Sequence, residues 1–462
     1  MTCKLFTTWF KAGVVVVALS ALLFGGDWHS PPRLLGDIVA EIAFGLKDAE
    51  VQWIVFLCLG TYLAVFLFLR LSLQARTVSR FQGVKAVFCL ACLVFLDAAM
   101  YFVHYSPSAP ALILLAGVVI GQGFALCATV RRGLFSLSIL HVLFPLVSLL
   151  ALASAWQDGS HIYEYRLVVR LTGPWNNPNI FGLLMGVGLV LALGSAVSVR
   201  SPGWNQRRMW RHICIILCLL AALPMARGLL QSYSRGAWLA TGCGAVYLAG
   251  FYLWVSDFGT CKFFQLPIKP HWLQKNGLAL AIVLFSSVVL LFWGFRETEW
   301  HAARRVLSVA DSADFSSRNR ISAWIGDLQI IAEHPWFGVG WNGSEPLYEH
   351  YYLPSKLSES AAIEMNDFLL LGAALGMPAF FCLATYLWLS FKENAKLKIG
   401  NPEVAGANWL GGTCRASAIV LLVGFWFDGG LFQLPTAAVF WVLLELGGAQ
   451  SYKAIRQIDE IF

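Results

Sequence analysis

Charge is what this sequence has least of. Only 13% of its 462 residues are Asp, Glu, Lys or Arg, where a soluble domain carries roughly 25%. That shortage excludes a free-standing soluble fold. Hydrophobic residues make up 58% of the chain and mean hydropathy is +0.66. Apolar runs recur along the whole length, so the excess is not one large core. The net charge of +7 is therefore no nucleic-acid signal, and no nucleic-acid partner is expected. In a membrane protein the place of each Lys and Arg says more than their total. Cysteine is present at eleven positions, but none falls in a segment expected outside the cell, so disulfides are not expected. Cys89-x-x-Cys92 and Cys214-x-x-x-Cys218 lie in apolar runs and read as small helix residues rather than metal or redox sites. No internal repeat is visible, and the expected helix interiors carry almost no charge. Both absences count against a transporter.

What is there is a series of runs long enough to cross a bilayer. Backbone in lipid must satisfy its own hydrogen bonds, so these runs are expected to be helices. They cover residues 5–26, 51–69, 86–104, 109–130, 134–155, 179–199, 212–230, 236–255, 277–295, 367–391, 416–430 and 435–450. The expectation is an all-α polytopic membrane protein of about twelve transmembrane helices, forming a single integral membrane domain over 1–462. The first run reads as an uncleaved anchor, because Phe24-Gly25-Gly26-Asp27 is a poor small-x-small cleavage site. With the N-terminus placed in the cytoplasm, the inner loops receive Arg70, Arg76, Arg80 and Lys85, then Arg131 and Arg132, then Arg200, Arg207, Arg208 and Arg211. Lys262, Lys269, Lys275, Lys392, Lys396, Lys398 and Arg415 follow. The outer loop 104–108 has neither Lys nor Arg. This is the positive-inside pattern, with both termini cytoplasmic.

Two outer segments stand apart. Residues 156–178 carry Arg166 and Arg170 and run into Thr172-Gly-Pro-Trp-Asn-Asn-Pro-Asn179. Residues 296–366 form the longest loop, and its Trp and Tyr content argues for order. Within it Ile321, Trp324, Ile325, Leu328, Ile331 and Ala332 recur at helical spacing. They predict an amphipathic helix lying on the membrane surface or covering the bundle. Basic residues outside run against the insertion bias and need a reason. Arg235 sits in Ser232-Tyr-Ser-Arg-Gly236, and Arg318 and Arg320 in Ser316-Ser-Arg-Asn-Arg320. Each could snorkel to lipid phosphate. Together, beside Gly- and Asn-rich turns, they suit an anionic ligand, because guanidinium grips phosphate bidentately and keeps its charge. Trp336-Phe-Gly-Val-Gly-Trp-Asn-Gly343 permits close backbone approach among aromatic rings. Those rings either stack on sugar faces or form an interfacial belt. Acid–base candidates are His301, His334, His350, Glu333, Glu345, Glu349, Glu364 and Asp367, none spaced as a metal site. Asp97, Asp428 and Glu445 are isolated carboxylates near the ends of expected spans.

Thr172-Gly-Pro-Trp-Asn-Asn-Pro-Asn-Ile-Phe-Gly182, Ser234-Arg-Gly236, Arg318/Arg320 leading into Glu333-His-Pro-Trp-Phe-Gly-Val-Gly340, and Met365-Asn-Asp-Phe-Leu-Leu-Leu-Gly-Ala-Ala-Leu-Gly376 occur in that order over residues 165–380. This ordered set resembles the O-antigen ligase and polymerase family. The resemblance implies a GT-C-like membrane glycosyltransferase facing the periplasm from the bacterial inner membrane, with no nucleotide, metal or other cofactor. It also implies a glycan donor on undecaprenyl pyrophosphate and an acceptor hydroxyl on a glycan, lipid or protein, with membrane lipids as surroundings. Carried over by motif, Arg235 and Arg318 or Arg320 bind the pyrophosphate. Arg166, Arg170, Asn177, Asn179, His350, Asn366 and Asp367 line the substrate cleft. The family commonly has His before the Asn of the last motif, where this chain has Met365, whose thioether cannot take a proton. His350, Glu364 or Asp367 would then act as base, and Glu364 is favoured by its position. A lipid-linked oligosaccharide flippase and a non-catalytic assembly partner are the readings from other classes.

Overall fold

In lipid the peptide groups bond to one another, and the computed structural model of the chain is accordingly almost all helix. It describes residues 2–24, 49–74, 80–103, 109–129, 140–155, 162–165, 168–198, 208–257, 315–353, 366–392 and 402–459. In chain order the helices are α1 (Thr2–Phe24), α2 (Ala49–Gln74), α3 (Arg80–Val103), α4 (Ala109–Thr129) and α5 (Leu140–Ala155), followed by α6 (Pro178–Ser198), α7 (Arg208–Gln231) and α8 (Arg235–Asp257). Next come α9 (Phe315–Glu333), α10 (Asp367–Leu375), α11 (Met377–Lys392), α12 (Pro402–Phe427) and α13 (Leu434–Asp459). Among the described residues four segments are long and apolar enough to cross a membrane: Ala109–Thr129, Pro178–Ser198, His212–Gln231 and Trp409–Phe427. Shorter apolar helices cover Lys11–Phe24, Phe56–Leu69, Leu140–Ala155 and Leu434–Ala449. The span expected at 277–295 lies outside the described residues.

The core is built on two seams. One joins α13 to α4 and α12; the other sets α6 against α7, α8 and α12. The apolar side chains at both are fully buried, Leu115, Val118, Leu183, Val187, Leu421 and Trp441 among them.

Three boundaries differ from the hydropathy reading. The run 367–391 is two helices, because Gly376 takes a left-handed backbone at φ +86° and ends α10. The chain after α9 then bonds to the carbonyls left open at that end. Val339 and Gly340 donate their N–H groups to Ala373 and Ala374, each at 2.9 Å. The Gly-Val-Gly turn is thus a backbone clamp on α10. The expected span 416–430 begins much earlier, at Pro402, and stops at Phe427, which leaves Asp428 beyond the helix. Within 156–178, Ile162–Tyr165 and Val168–Leu171 form an antiparallel hairpin, Ile162 opposite Leu171, followed by a short 3-10 turn at Gly173–Trp175.

The predicted amphipathic helix exists as α9, but its apolar stripe is split. Ala323, Ile330 and Ile331 are buried against Tyr348 and Ala373, so this face covers α10. Ile321, Ile325 and Leu328 lie on the opposite side, each about half exposed. Tyr348 belongs to a π-helical turn, Tyr348–Tyr352, that continues the single turn Ser344–Leu347.

Candidate functional site

One end of the bundle gathers the N-termini of α6, α8, α10 and α13 with the C-termini of α7 and α12. The turn from α7 to α8 is its pivot. Tyr233 stands at φ +50°, and Ser234 opens α8 by accepting the amide of Ala237 at its hydroxyl, 3.2 Å away. The Ser234 hydroxyl in turn donates to Asp428 Oδ2 at 2.8 Å. The other oxygen of that carboxylate, Oδ1, receives Arg320 Nη2 at 2.7 Å. The Asp428 side chain is 1% exposed and that of Arg320 15%. A buried carboxylate this close to a guanidinium is a charge-assisted pair, and removing either partner strands the other charge. The link also explains Gly236. A side chain there would run into the Asp428 carboxylate, so the Ser-Arg-Gly motif ends in the residue that lets Asp428 approach. Arg235, between Ser234 and Gly236, is half-buried.

The hairpin reaches the same turn. Arg170, on the second strand and 8% exposed, donates Nε to the Ser232 carbonyl and Nη2 to Asn179 Oδ1, each at 2.8 Å. Asn177 caps α6, accepting the amides of Asn179 at 2.9 Å and Ile180 at 3.3 Å. On the α10 side Asn366 does the same, accepting Phe368 and Leu369 amides at 3.1 Å. Asp367 accepts the Leu431 amide at 2.7 Å and so fixes the link from α12 to α13. Trp426, at the last turn of α12, packs on Trp324 of α9 and Phe368 of α10, with ring centres 6.2 and 5.8 Å apart.

Of the sequence-predicted residues, Arg170, Asn177, Asn179, Arg235, Arg320, Asn366 and Asp367 therefore converge on one end of the fold. Arg318 lies on the exposed side of α9. His350 is also exposed, its ring edge-on to Tyr351 on the π-turn at 4.6 Å. Arg166, Glu364 and Met365 lie outside the described residues. Sequence reasoning named Asp428 as an isolated carboxylate without seeing that it joins the two Arg motifs. It passed over Ser234 and Asp327. Asp327 is fully buried at the centre of the inner face of α9, and burial pushes its carboxyl up to about 8. Asp97, on α3, accepts the indole N–H of Trp341 at 2.9 Å. Trp341 also packs edge-on to Phe432 at 4.7 Å. The aromatic loop after α9 is thereby pinned to the bundle.

A buried, charge-paired polar end on an apolar helical bundle is where a functional site of a membrane protein is to be sought. The family model described as O-Antigen ligase matches residues 220–384, from within α7 into α11. No curated protein matches the chain. The matched stretch holds Arg235, Arg318, Arg320, His350, Asn366 and Asp367. Arg170 and Asp428 lie outside it, yet Arg170 bonds to Ser232 and Asp428 to Ser234 and Arg320, all within it; Asn177 and Asn179 also lie outside and bond to residues before it. The match points to glycan transfer with a lipid-linked donor, and with the apolar helices it marks the chain as a membrane protein.

Proposed function

We propose that this protein transfers a glycan from undecaprenyl pyrophosphate to an acceptor hydroxyl, at the periplasmic face of a bacterial inner membrane. The observation that carries the reading is the buried link Arg320–Asp428–Ser234. It fixes the α9 arginine motif against the turn that presents Arg235. Two guanidinium groups held at one site suit a pyrophosphate, whose charge grows as the glycosyl bond breaks. Arg235 and Arg320 stabilise that leaving group, and exposed Arg318 draws the headgroup in. Arg170, Asn177 and Asn179 set the turns around it. Asn366 and Asp367 fix the start of α10, and exposed His350 is assigned to substrate binding.

Pyrophosphate is a good leaving group, so the remaining work is to orient the acceptor and take its proton. Glu364, next to Met365, is the residue we assign to that proton. The reaction so read needs neither nucleotide nor metal. The full membrane domain has about twelve spans in this reading, because each crossing takes roughly 20 apolar residues. Its arrangement is GT-C-like, with both termini cytoplasmic.

The test is a transfer assay on purified protein in lipid nanodiscs, with pooled undecaprenyl-pyrophosphate glycans and a chelator, read by mass spectrometry. Released undecaprenyl pyrophosphate together with a lengthened acceptor is the expected result. Arg235→Ala should remove it, and normal transfer in that variant would overturn the pyrophosphate site.

A further inference from the structure

The stripe of α9 that faces away from the bundle is left open among the described residues. Arg318, Ile321, Ile325, Leu328 and Ala332 follow one another at alternating steps of three and four and so share one side of the helix. All five are exposed, and Ile321, Ile325 and Leu328 each keep about half of their surface open. Just past the end of the helix, Trp336 and Phe337 are 71% and 65% exposed. Large apolar groups gathered outside a core mark a contact surface.

The inner face of the same helix fixes the level at which this stripe lies. The crossing segment of α12 ends at Phe427. Trp426, in its last turn, packs on Trp324 with ring centres 6.2 Å apart, and Asp428, just beyond, holds Arg320. The first half of α9 therefore lies beside the end of a membrane crossing, where the hydrocarbon stops. The far end of α9 is tied to the start of α11, since Pro335 accepts the Met377 amide at 2.8 Å. Open apolar surface continues onto both neighbours. Trp426 of α12 keeps 39% of its surface free, and Phe381, in the second turn of α11, keeps 59%. An apolar helix face at this level, with tryptophans beside it and an arginine in line, suits the plane of a lipid interface. There the guanidinium lies among phosphates.

We propose that the outer face of α9, formed by Ile321, Ile325, Leu328 and Ala332 and flanked by Trp336 and Phe337, is seated in the phospholipid leaflet at this end of the bundle, with Arg318 in its phosphate layer. Arg320 is on the other side of the helix, bonded to Asp428. An α9 seated in the interface thus holds Arg320 at headgroup height. A lipid-linked pyrophosphate reaches it there without leaving the leaflet. That consequence rests on the glycan-transfer reading, whereas the seating itself does not.

The test uses the full chain in nanodiscs of phosphatidylethanolamine and phosphatidylglycerol, with the photo-cross-linker p-benzoylphenylalanine introduced singly at Ile325, Leu328, Leu217 or Glu349. Leu217 lies in the crossing segment of α7 and is 57% exposed, so it reports contact with lipid. Glu349 is exposed on the π-turn that packs against the inner face of α9, so it reports background. Size-exclusion profiles check that each variant is folded, and mass spectrometry identifies the adducts after irradiation. Ile325 and Leu328 should give phospholipid adducts within about threefold of Leu217 and at least about tenfold above Glu349, as a face seated roughly 5–10 Å into the headgroup and acyl boundary would. Yields closer to Glu349 than to Leu217 overturn the seating. Adducts to a second copy of the chain in place of lipid overturn it as well. Cross-linking needs no turnover, so a protein that gives these lipid adducts but transfers no glycan upholds the seating and sinks only the function reading.

Discussion

Inside the helix bundle Thr241, Thr413 and Ser198 each donate to a carbonyl one turn back, at 2.7, 2.9 and 2.7 Å. At the end of the bundle the polar bonds join segments far apart in sequence. Ser234 meets Asp428, Arg320 meets the same carboxylate, Arg170 reaches Ser232, and Trp341 reaches Asp97. The bundle can afford hydroxyls because its own backbone absorbs them, as any helix in lipid must. The end can hold charge only because tertiary structure brings the partners together. Buried polar atoms without a partner among the described residues occur there, on α9 and α10, and also in the bundle, at Ser195, Ser417 and Trp441. The hydroxyls of Thr241, Thr413 and Ser198 are thus satisfied locally, although Gln122 and Ser154 reach Tyr386 and Pro224 on other helices, whereas the charged links at the end depend wholly on assembly.

The comparison breaks most visibly where charge is removed. Arg235→Ala should lower transfer by at least about a hundredfold, as loss of one group stabilising a leaving charge does, with little change in thermal midpoint. Asp428→Ala comes next. It strands Arg320 and leaves Ser234 unbonded, so it should cost about 3 kcal/mol or more in stability as well as transfer. Heat-challenge size-exclusion profiles and the transfer assay read the two effects. Pairing Arg320→Met with Asp428→Leu sharpens the point, since an apolar pair should restore stability without restoring transfer. A double variant as unstable as the single one would mean that the pair is not what holds α9 to the turn.

Much of this was legible beforehand, for a physical reason. A span is a local property, a run of apolar residues of sufficient length, and the run 109–130 became Ala109–Thr129 almost unchanged. The order of the arginine motifs was also local and readable. Their meeting was not. Arg320 and Asp428 are separated by 108 positions, and nothing near either one names the other. The end of α12 did leave a trace, because Asp428-Gly429-Gly430 is turn chemistry and both glycines take positive φ, +70° and +125°. At α9 periodicity found the helix and an apolar stripe for either the membrane surface or the bundle, and the neighbours of the helix bury Ala323, Asp327, Ile330 and Ile331 while Ile321, Ile325 and Leu328 stay half exposed. An aspartate at the centre of a buried face contradicts any pattern rule, and only the packed structure places it there.

Asp327 gives the next smaller effect, visible as a pH dependence. Its carboxyl is raised from 3.8 to about 8, and burial is the cause. The folded state therefore keeps a proton that the unfolded state has released, so stability falls as pH rises from about 4 to about 8 and levels off above. Asp327→Asn keeps the shape and cannot ionise. It should match wild type near pH 4 and exceed it near pH 8 in thermal midpoint. A wild-type curve that is flat across that window would show that the carboxyl is not held neutral by burial.

The smallest effect tests the comparison with one substitution made in two places. Ser198→Ala removes a hydroxyl from the far end of α6, where it donates to Gly194. That carbonyl keeps its ordinary helix bond, so no group is stranded and the loss should stay within about 0.5 kcal/mol. Ser234→Ala removes the same atom from the turn, but there the hydroxyl both caps α8 and bonds a buried carboxylate. It should cost about 1–3 kcal/mol, because Asp428 is left short of a donor that nothing else supplies. It should also slow transfer, since Asp428 holds Arg320. Both sites are nearly as buried, with Ser198 and Ser234 each 2% exposed, so burial alone cannot produce the difference. Equal losses at the two serines would mean that the end of the bundle is no more demanding than its interior. A large gap would locate the demand in the partner rather than in the serine.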